Sequence, residues 1–377
     1  MESSPPTPVT TVSPVPEITV GFIGLGRMGL PLAQNLVRSH VPVVVYNRTR
    51  TKVEPLVSAG ARWAATPKDV ARSASKGVIF LMLTDGAAVK KVLFGRGGLA
   101  QGAATGTMVV DLSTIDPDES RAFAARLLER GIRYMDAPVG GSIDMAAQGG
   151  VTFFVGGEVT DVARVRPLLE RMGRRVEHMG PVGTGASTKL VNNSLTIGIT
   201  ALTTEALALA DAFHLDRDRI LEVLQAGGGR SSMLERKRAA FAARQYAPQF
   251  TTALARKDLK LVEKAGSREG RVLKMSHEAR KLLDEAIALY NQALAIDPKF
   301  SDAVHGLTMC YQAKGDLDRA IELTKRYLEQ EPEDILAYTN LSMFYQKKGM
   351  IKEAEAAGGE ARRLDWKRQL REAKDKG

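Results

Sequence analysis

One cysteine, Cys310, stands in 377 residues. A lone thiol excludes an internal disulfide and a thiolate metal cluster, and it fits a reducing compartment, the cytoplasm by default. Histidine is scarce as well. Five of them at scattered positions, without paired spacing or cysteine partners, give no metal site. No Gly-x-Ser-x-Gly elbow occurs, so a serine-nucleophile mechanism has no support. No segment has the unbroken apolar length that a bilayer span needs. The opening residues 1–17, MESSPPTPVTTVSPVPE, lack a basic start and an apolar stretch, so they read as a disordered tail and not as a signal peptide. Negative charge is the minority sign, leaving a net +10. The Arg and Lys residues are spread through amphipathic helical segments, with a modest concentration only from Arg362 to Lys376. That argues for a solvated surface suited to anionic small molecules, with neither nucleic acid nor membrane as a partner.

What is present is length and apolar content, 377 residues at 44% apolar, enough to fill two or three cores. Ile18 to Ile23 is a short β-rich run that leads straight into Gly24-Leu-Gly26-Arg-Met-Gly29. Arg27 to Val37 then takes helical spacing, so the opening reads strand, tight turn, helix. Val41 to Tyr46, Val78 to Leu83 and Met108 to Leu112 are further continuous apolar runs between helical segments, and Tyr134 to Val139 and Val151 to Val155 add more. Continuous runs predict a parallel sheet covered on both faces, hence a doubly wound α/β Rossmann domain over 18–180. After Glu177 the strand signal stops. Helical spacing from about Gly185 to Phe213, Asp216 to Ala226, Met233 to Ala243 and Leu254 to Ala265 predicts an all-α second domain over 181–266 for substrate binding and dimerisation.

A third character follows over 275–377. Leu307, Tyr311, Gly315 and Ala320 recur 34 residues later as Leu341, Tyr345, Gly349 and Ala354, and Ala286, Ala293 and Pro298 form half of an earlier copy. This period signals an α-solenoid of helix pairs and resembles the tetratricopeptide repeat over roughly 280–365. The last copy departs from the pattern, with Trp366 where Pro is expected and Gly358-Gly359 inside its second helix, which suits a terminal capping unit. A concave groove of this kind would recruit an extended peptide of a protein partner.

The chemistry concentrates at two places. In Gly24-x-Gly26-x-x-Gly29 the first glycine permits a tight turn, the second lets backbone approach a pyrophosphate, and the third allows close helix packing. The helix start would offer N–H groups to phosphates. Such a triplet alone marks many turns; its place between a strand and a helix points to a dinucleotide. The next strand ends at Tyr46-Asn47-Arg48-Thr49, where NAD binders usually place a carboxylate against the ribose 2′-OH. Asn47, Arg48 and Thr49, with Lys52 a turn later, suit a 2′-phosphate instead, so NADP is favoured over NAD, against the plainer reading of an ordinary basic loop. The second place is Gly183-Thr-Gly-Ala-Ser-Thr-Lys189-Leu-Val-Asn192-Asn193, where helical spacing puts Lys189 and Asn193 on one face.

These residues bring the chain from Ile18 to about Ala265, some two thirds of it, into resemblance with the β-hydroxyacid dehydrogenases. That group includes 3-hydroxyisobutyrate dehydrogenase, tartronate semialdehyde reductase, and succinic semialdehyde and glyoxylate reductases. Five motifs occur in the family's order. Gly21 to Gly29 resembles its cofactor loop, Asp111-Leu-Ser113-Thr114 its substrate loop, and Asp136-Ala-Pro-Val139 its interior turn. Gly183 to Asn193 resembles its catalytic segment, and Lys257-Asp258-Leu259 a later motif. The resemblance implies that Lys189 donates the proton when a carbonyl is reduced and accepts it when an alcohol is oxidised, with Asn193 holding the reacting oxygen. A positioned ammonium suits the negative charge that hydride leaves on oxygen. The bland reading of Lys189 is an exposed helix lysine. The resemblance further implies a substrate carboxylate held by Ser113, Thr114, the Gly140 and Gly141 backbone and Lys257. It implies a cofactor lined by Leu25, Arg27 and Met28 in the loop and by Leu83, Thr114 and Lys257 beyond it, and assembly of copies through the helical domain. Ser113 and Thr114 also read as a helix cap before Asp116. Lys257 reads nearly as well as an ion pair to Asp258. Gly140-Gly141-Ser142 stands where many relatives have Ser-Gly-Gly, which leaves the substrate open.

The pattern breaks after Lys264-Ala-Gly-Ser-Arg-Glu-Gly270, where relatives continue with more helices and this chain turns at once to the repeats. Either the repeat helices stand in for the missing ones, or a partner chain buries the apolar faces left open. A natural fusion and two joined reading frames both account for the join. The sequence therefore reads as an NADP-dependent reductase of a small aldehyde acid. 6-Phosphogluconate dehydrogenase shares the fold but differs ahead of Lys189, and imine reductases typically lack that lysine. The rival from another class is an inactive dehydrogenase-like scaffold whose repeats bind a protein.

Overall fold

The computed structural model describes residues 18–243, 251–297, 299–314 and 316–374. The 1–17 tail, Pro298, Gly315 and Lys376 lie outside the described residues, as do the side chains of Ala286 and Ala293. Among the described residues nine strands form one sheet: β1 (Val20–Ile23), β2 (Val43–Tyr46), β3 (Arg62–Trp63), β4 (Val78–Leu81), β5 (Met108–Asp111), β6 (Arg133–Asp136), β7 (Val139–Gly140), β8 (Thr152–Gly156) and β9 (Arg175–Gly180). The order is β3-β2-β1-β4-β5-β6-β8-β7, with β9 on β8. Pairings from β3 through to β6 are parallel, whereas β8 runs antiparallel to β6 and β7.

The apolar runs become central strands because both faces are covered. Successive side chains alternate across the sheet. Phe22 and Phe80 therefore enter one buried cluster with Leu32 and Leu36, while their neighbours Ile23, Ile79 and Leu81 enter the other with Leu93. The result is a doubly wound, Rossmann-like sheet with helices on both sides. Strands β3 and β9 have no counterpart in the apolar runs, and β7 shares only Val139 with the run from Tyr134 to Val139. β3 and β7 are two residues long, and β9 carries Arg175, Glu177 and His178, so it continues past the point where the strand signal stops.

Two compact units divide the chain. The first runs to Thr196 and takes in Lys264–Arg271; the second runs from Ile197 to Glu263 and resumes at Val272. The expected helices are present as Thr184–Ala212, Arg217–Ala226, Ser232–Ala243 and Thr252–Arg268. The first of these has an 18-residue window of mean hydropathy 1.3, so by length and composition it could cross a membrane. Polar residues such as Asn193 and Glu205 break the run, which is why an unbroken-run criterion passes over it.

In the second unit Lys274–Ile296 precedes four helices, Ser301–Lys314, Leu317–Gln330, Ile335–Lys348 and Ile351–Lys374. The recurring positions explain their packing: Leu307, Leu341, Ala320, Ala354 and Tyr345 are all buried. Gly349 ends its helix at φ 80, a left-handed cap that favours glycine. Gly358 and Gly359 lie inside an unbroken helix, where a Cβ on Gly358 would come 3.1 Å from the Ser342 hydroxyl of the adjoining helix. Between repeats, Asp334 Oδ2 accepts hydrogen bonds from the Tyr327 hydroxyl (2.8 Å) and from Ser301 (3.3 Å), and lies 3.1 Å from His305 Nε2.

Candidate active site

Each loop that leaves a parallel strand at its carboxyl end emerges on the same edge of the sheet, and the strand order reverses between β1 and β4. Open α/β sheets bind ligands at such a switch point. The structure brings to that edge the Gly24–Gly29 loop after β1, the Asn47–Lys52 loop after β2, Leu83 after β4, and Ser113 and Thr114 after β5.

Gly24 adopts φ +102, and a Cβ there would meet the Met82 carbonyl oxygen at 2.3 Å, so the turn requires glycine. Gly26 is exposed, and a Cβ built on it meets nothing within 4 Å. At Gly29 a Cβ would lie 2.0 Å from the Gly24 carbonyl oxygen. The helix that follows has no acidic residue in its first turn and, among the described residues, no side-chain cap. Open space over bare backbone at an uncapped helix start fits a pyrophosphate.

Asn47 ties two loops together. Its Oδ1 accepts the Leu25 N–H (2.9 Å) and its Nδ2 donates to the Thr49 carbonyl (2.8 Å). Arg48 and Lys52 are exposed beyond it, whereas the Arg50 guanidinium stacks 4.4 Å over Trp63. Arg27 is exposed, Met28 half-buried and Leu25 buried.

Ser113 is buried, and its hydroxyl oxygen accepts the Leu83 N–H at 2.9 Å. Its own donors face Asp111: the N–H reaches Oδ1 at 2.9 Å, and the hydroxyl bonds the same carboxylate. Ser113 therefore reaches a substrate only by exchanging Asp111 for it. Thr114 beside it is half-buried. Asp116 caps the Pro117–Leu128 helix through the Asp118 N–H (3.0 Å) and pairs with Lys264 (2.9 Å) and Arg268 (2.7 Å). Burial pushes its pKa up, but the hydrogen bonds from Arg268 and Lys264 outweigh that and bring it down to about 2.

Gly140 pairs with Thr152 of β8, and a Cβ on it would press into the Phe154 ring at 2.8 Å; Gly141 is exposed. Ser142 caps the short helix after it through the Met145 N–H. Lys189 is half-buried and Asn193 buried, one turn apart on the Thr184–Ala212 helix. Lys257 belongs to the second unit, where its ammonium pairs with Asp258 at 2.8 Å.

Two buried carboxylates organise the edge. Asp111 and Asp136 end β5 and β6 as direct register partners. Burial pushes both pKa values up to about 6. For Asp111 the Ser113 groups and Tyr134 work in the opposite direction, and for Asp136 the Gly183 and Ala186 N–H groups do. The motifs drew attention to Asp111 and Asp136 without giving either a task. A signal was available: each interrupts an apolar run with a charge.

Comparison with known proteins accords with this geometry. Residues 19–180 match the NAD-binding domain of 6-phosphogluconate dehydrogenase, residues 183–296 the NAD-binding domain of NADP-dependent 3-hydroxyisobutyrate dehydrogenase, and residues 279–342 the tetratricopeptide repeat. The second and third matches overlap on the Lys274–Ile296 helix. An NAD-dependent L-serine dehydrogenase of Pseudomonas aeruginosa is 36% identical over 65% of this chain and 84% of its own length. Glyoxylate/succinic semialdehyde reductase 2 of Arabidopsis thaliana is 32% identical over 65% of this chain and 68% of its own length. The structure of Mycobacterium tuberculosis 3-hydroxyisobutyrate dehydrogenase with L-serine superposes with TM-score 0.65 at 27% identity, over 72% of this chain and 94% of that one.

Proposed function

The chain belongs to the 3-hydroxyisobutyrate dehydrogenase family of nicotinamide-dependent oxidoreductases, and on that premise we propose that it reduces a small aldehyde acid with NADPH, using Lys189 as the general acid. The observation that carries the reading is the pairing of an open, uncapped glycine loop after β1 with a lysine-bearing helix whose start is tied to the end of β6. Bound nicotinamide dinucleotide supplies the hydride. The protein's part is to hold the carbonyl and manage its proton. As the new C–H bond forms, the carbonyl π electrons move onto oxygen, which takes a proton from the Lys189 ammonium; solvent then restores that proton. Asn193, one turn on, holds the same oxygen. Thr114 and the Gly140 and Gly141 backbone would hold the substrate carboxylate, with Ser113 joining if it releases Asp111.

NADP is favoured over NAD by what ends β2. No carboxylate stands there for a ribose 2′-OH, Asn47 is occupied in joining the loops, and Arg48 and Lys52 extend beyond it as exposed cations. Copies of the chain assembling through the helical domain, and a peptide partner on the repeats, complete the reading.

The test follows oxidation of NADPH and NADH by the full chain with glyoxylate and with succinic semialdehyde. Turnover should prefer NADPH, and Lys189→Ala should lower kcat by about 10² to 10⁴, the usual contribution of a positioned general acid, with cofactor binding intact. An unchanged rate in Lys189→Ala removes the assignment. Cofactor binding without turnover would favour the scaffold instead.

A further inference from the structure

At the start of the Thr184–Ala212 helix the local hydroxyls turn away from the backbone N–H groups. Thr184, where a local hydroxyl could bond the exposed N–H groups, turns back to the Pro181 carbonyl (2.7 Å). Ser187 and Thr188 bond the Gly183 and Thr184 carbonyls. Two N–H groups at the helix start reach further: Gly183, just before the helix, donates to Asp136 Oδ1, and Ala186 in the first turn to Asp136 Oδ2, each at 2.6 Å. A carboxylate on a strand 47 and 50 residues earlier thus does the work of an N-cap, bidentate and at the positive end of the helix. The approach is tight. A Cβ on Gly185 would lie 2.2 Å from the Phe154 carbonyl oxygen and 2.9 Å from Asp136 Oδ2, and one on Gly156 would lie 2.7 Å from Oδ1.

Lys189 follows Ala186 by three residues, about one turn and about 4.5 Å along the axis, so the two share a face. An anion bonded to two points of the helix start fixes both the height and the rotation of the helix.

We propose that Asp136 is a positioning residue for the reaction: its buried carboxylate holds the start of the Lys189 helix, and its ionisation decides whether that start is held. The inference rests on the reading of Lys189 as the acid. Protonation converts one acceptor oxygen into a donor that faces an N–H, so one of the two bonds is lost. The charged groups that bear on Asp136 are Arg121 from the Pro117–Leu128 helix, which favours the carboxylate, and Asp111 from β5, which opposes it. The weakly acidic Tyr134 hydroxyl two residues back on β6 bonds Asp111 and remains neutral. Burial raises the Asp136 pKa to about 6, which puts the change within the range of ordinary assays.

The experiment measures amide exchange at Gly183 and Ala186 in the chain without substrate or cofactor, from pH 5 to 8, corrected for intrinsic rate. Protection in the wild type should fall about tenfold as pH drops through about 6, and in Asp136→Asn it should be low throughout, since the Asn amide can accept only one of the two N–H groups. Amides of β1 should not change. In turnover, Asp136→Asn should lower kcat by about 10- to 100-fold, the scale of a misplaced catalytic group, with the KM for cofactor held and the acid limb of the pH profile near 6 removed. Protection that is independent of pH, or an acid limb that survives in Asp136→Asn, overturns the proposal. Should Asp136→Asn not fold, the wild-type exchange series decides alone. If Lys189→Ala keeps its turnover, the functional reading falls; unchanged exchange removes the anchor by itself.

Discussion

Replacing Asp111 by Asn should stabilise the nucleotide-binding unit while slowing the enzyme, and the size of the gain follows from burial. Asp111 is fully buried at the end of β5, bonded to Ser113 N–H (2.9 Å) and the Tyr134 hydroxyl (3.1 Å), with Asp136 as its register partner. Burial raises its pKa from 3.8 to about 6. A folded-state pKa above the unfolded one gives stability that is present below 3.8 and lost as pH rises through about 6. At pH 7.5 the charged form therefore costs the fold about 3 kcal/mol, because each pH unit separating the folded and unfolded pKa values is worth about 1.36 kcal/mol. Asn has the same shape and does not titrate. Its Oδ1 can accept the Ser113 N–H, its Nδ2 can donate to the Tyr134 oxygen, and Asp136 loses a negative neighbour. The chain has two tryptophans, Trp63 on β3 and the exposed Trp366, so urea unfolding in a Trp366→Phe background reports on the first unit alone. Asp111→Asn should gain up to about 3 kcal/mol at pH 7.5 and under about 1 kcal/mol at pH 4, from the same linkage. Its kcat/KM should fall, because one oxygen must then serve both Ser113 donors and the substrate loop loosens. A variant less stable than wild type at pH 7.5, or one gaining equally at both pH values, would refute the reasoning.

Two further substitutions probe the cofactor end and the Asp116 ion pairs. Arg48→Ser should raise the KM for NADPH about tenfold or more and leave that for NADH nearly unchanged, the loss expected when one charge-assisted contact to a phosphate is removed; an equal effect on both cofactors contradicts a 2′-phosphate contact. Asp116→Asn keeps an oxygen for the Asp118 N–H but loses the charge that pairs with Lys264 and Arg268. The wild-type pKa lies near 2 against 3.8 unfolded, so this stability is present above 3.8 and is lost as pH falls through about 2. The expected loss is about 2 kcal/mol at pH 7, smaller in 1 M salt. Equal losses at pH 7 and pH 2, by the same unfolding assay, would count against it.

Particular residues show where the sequence stops being legible. The β1–glycine–helix opening was readable because each part is local: four buried residues, a turn that only glycine fits, and a helix at once after it. The 34-residue repeat was readable for the same reason, as a packing pattern that recurs within one chain. β3 escaped because two residues cannot display a period, β7 was merged with β6 in the single run from Tyr134 to Val139, and β9 escaped because its residues are largely polar. Lys257 carried two readings, and its ammonium lies 2.8 Å from Asp258, as the ion-pair reading expects. Ser113 was read as a substrate contact or a cap, and neither reading includes the carboxylate that now holds its donors.

From the sequence alone came the long apolar strands and the helices between and after them, the glycine loop, the repeat, and the placing of Lys189 and Asn193 on one helix face. All of these follow from patterns local to the chain: continuous apolar runs, glycines at a turn, helical spacing, and a 34-residue recurrence. Only the tertiary structure decided that Asp136 caps a helix 47 residues away, that Asp111 lies against Asp136, and that Asp116 meets Arg268 across 152 residues. Those meetings depend on strand order and register, which are settled by which buried faces pack together, and on burial, which moves a carboxylate's pKa; no local spacing records either.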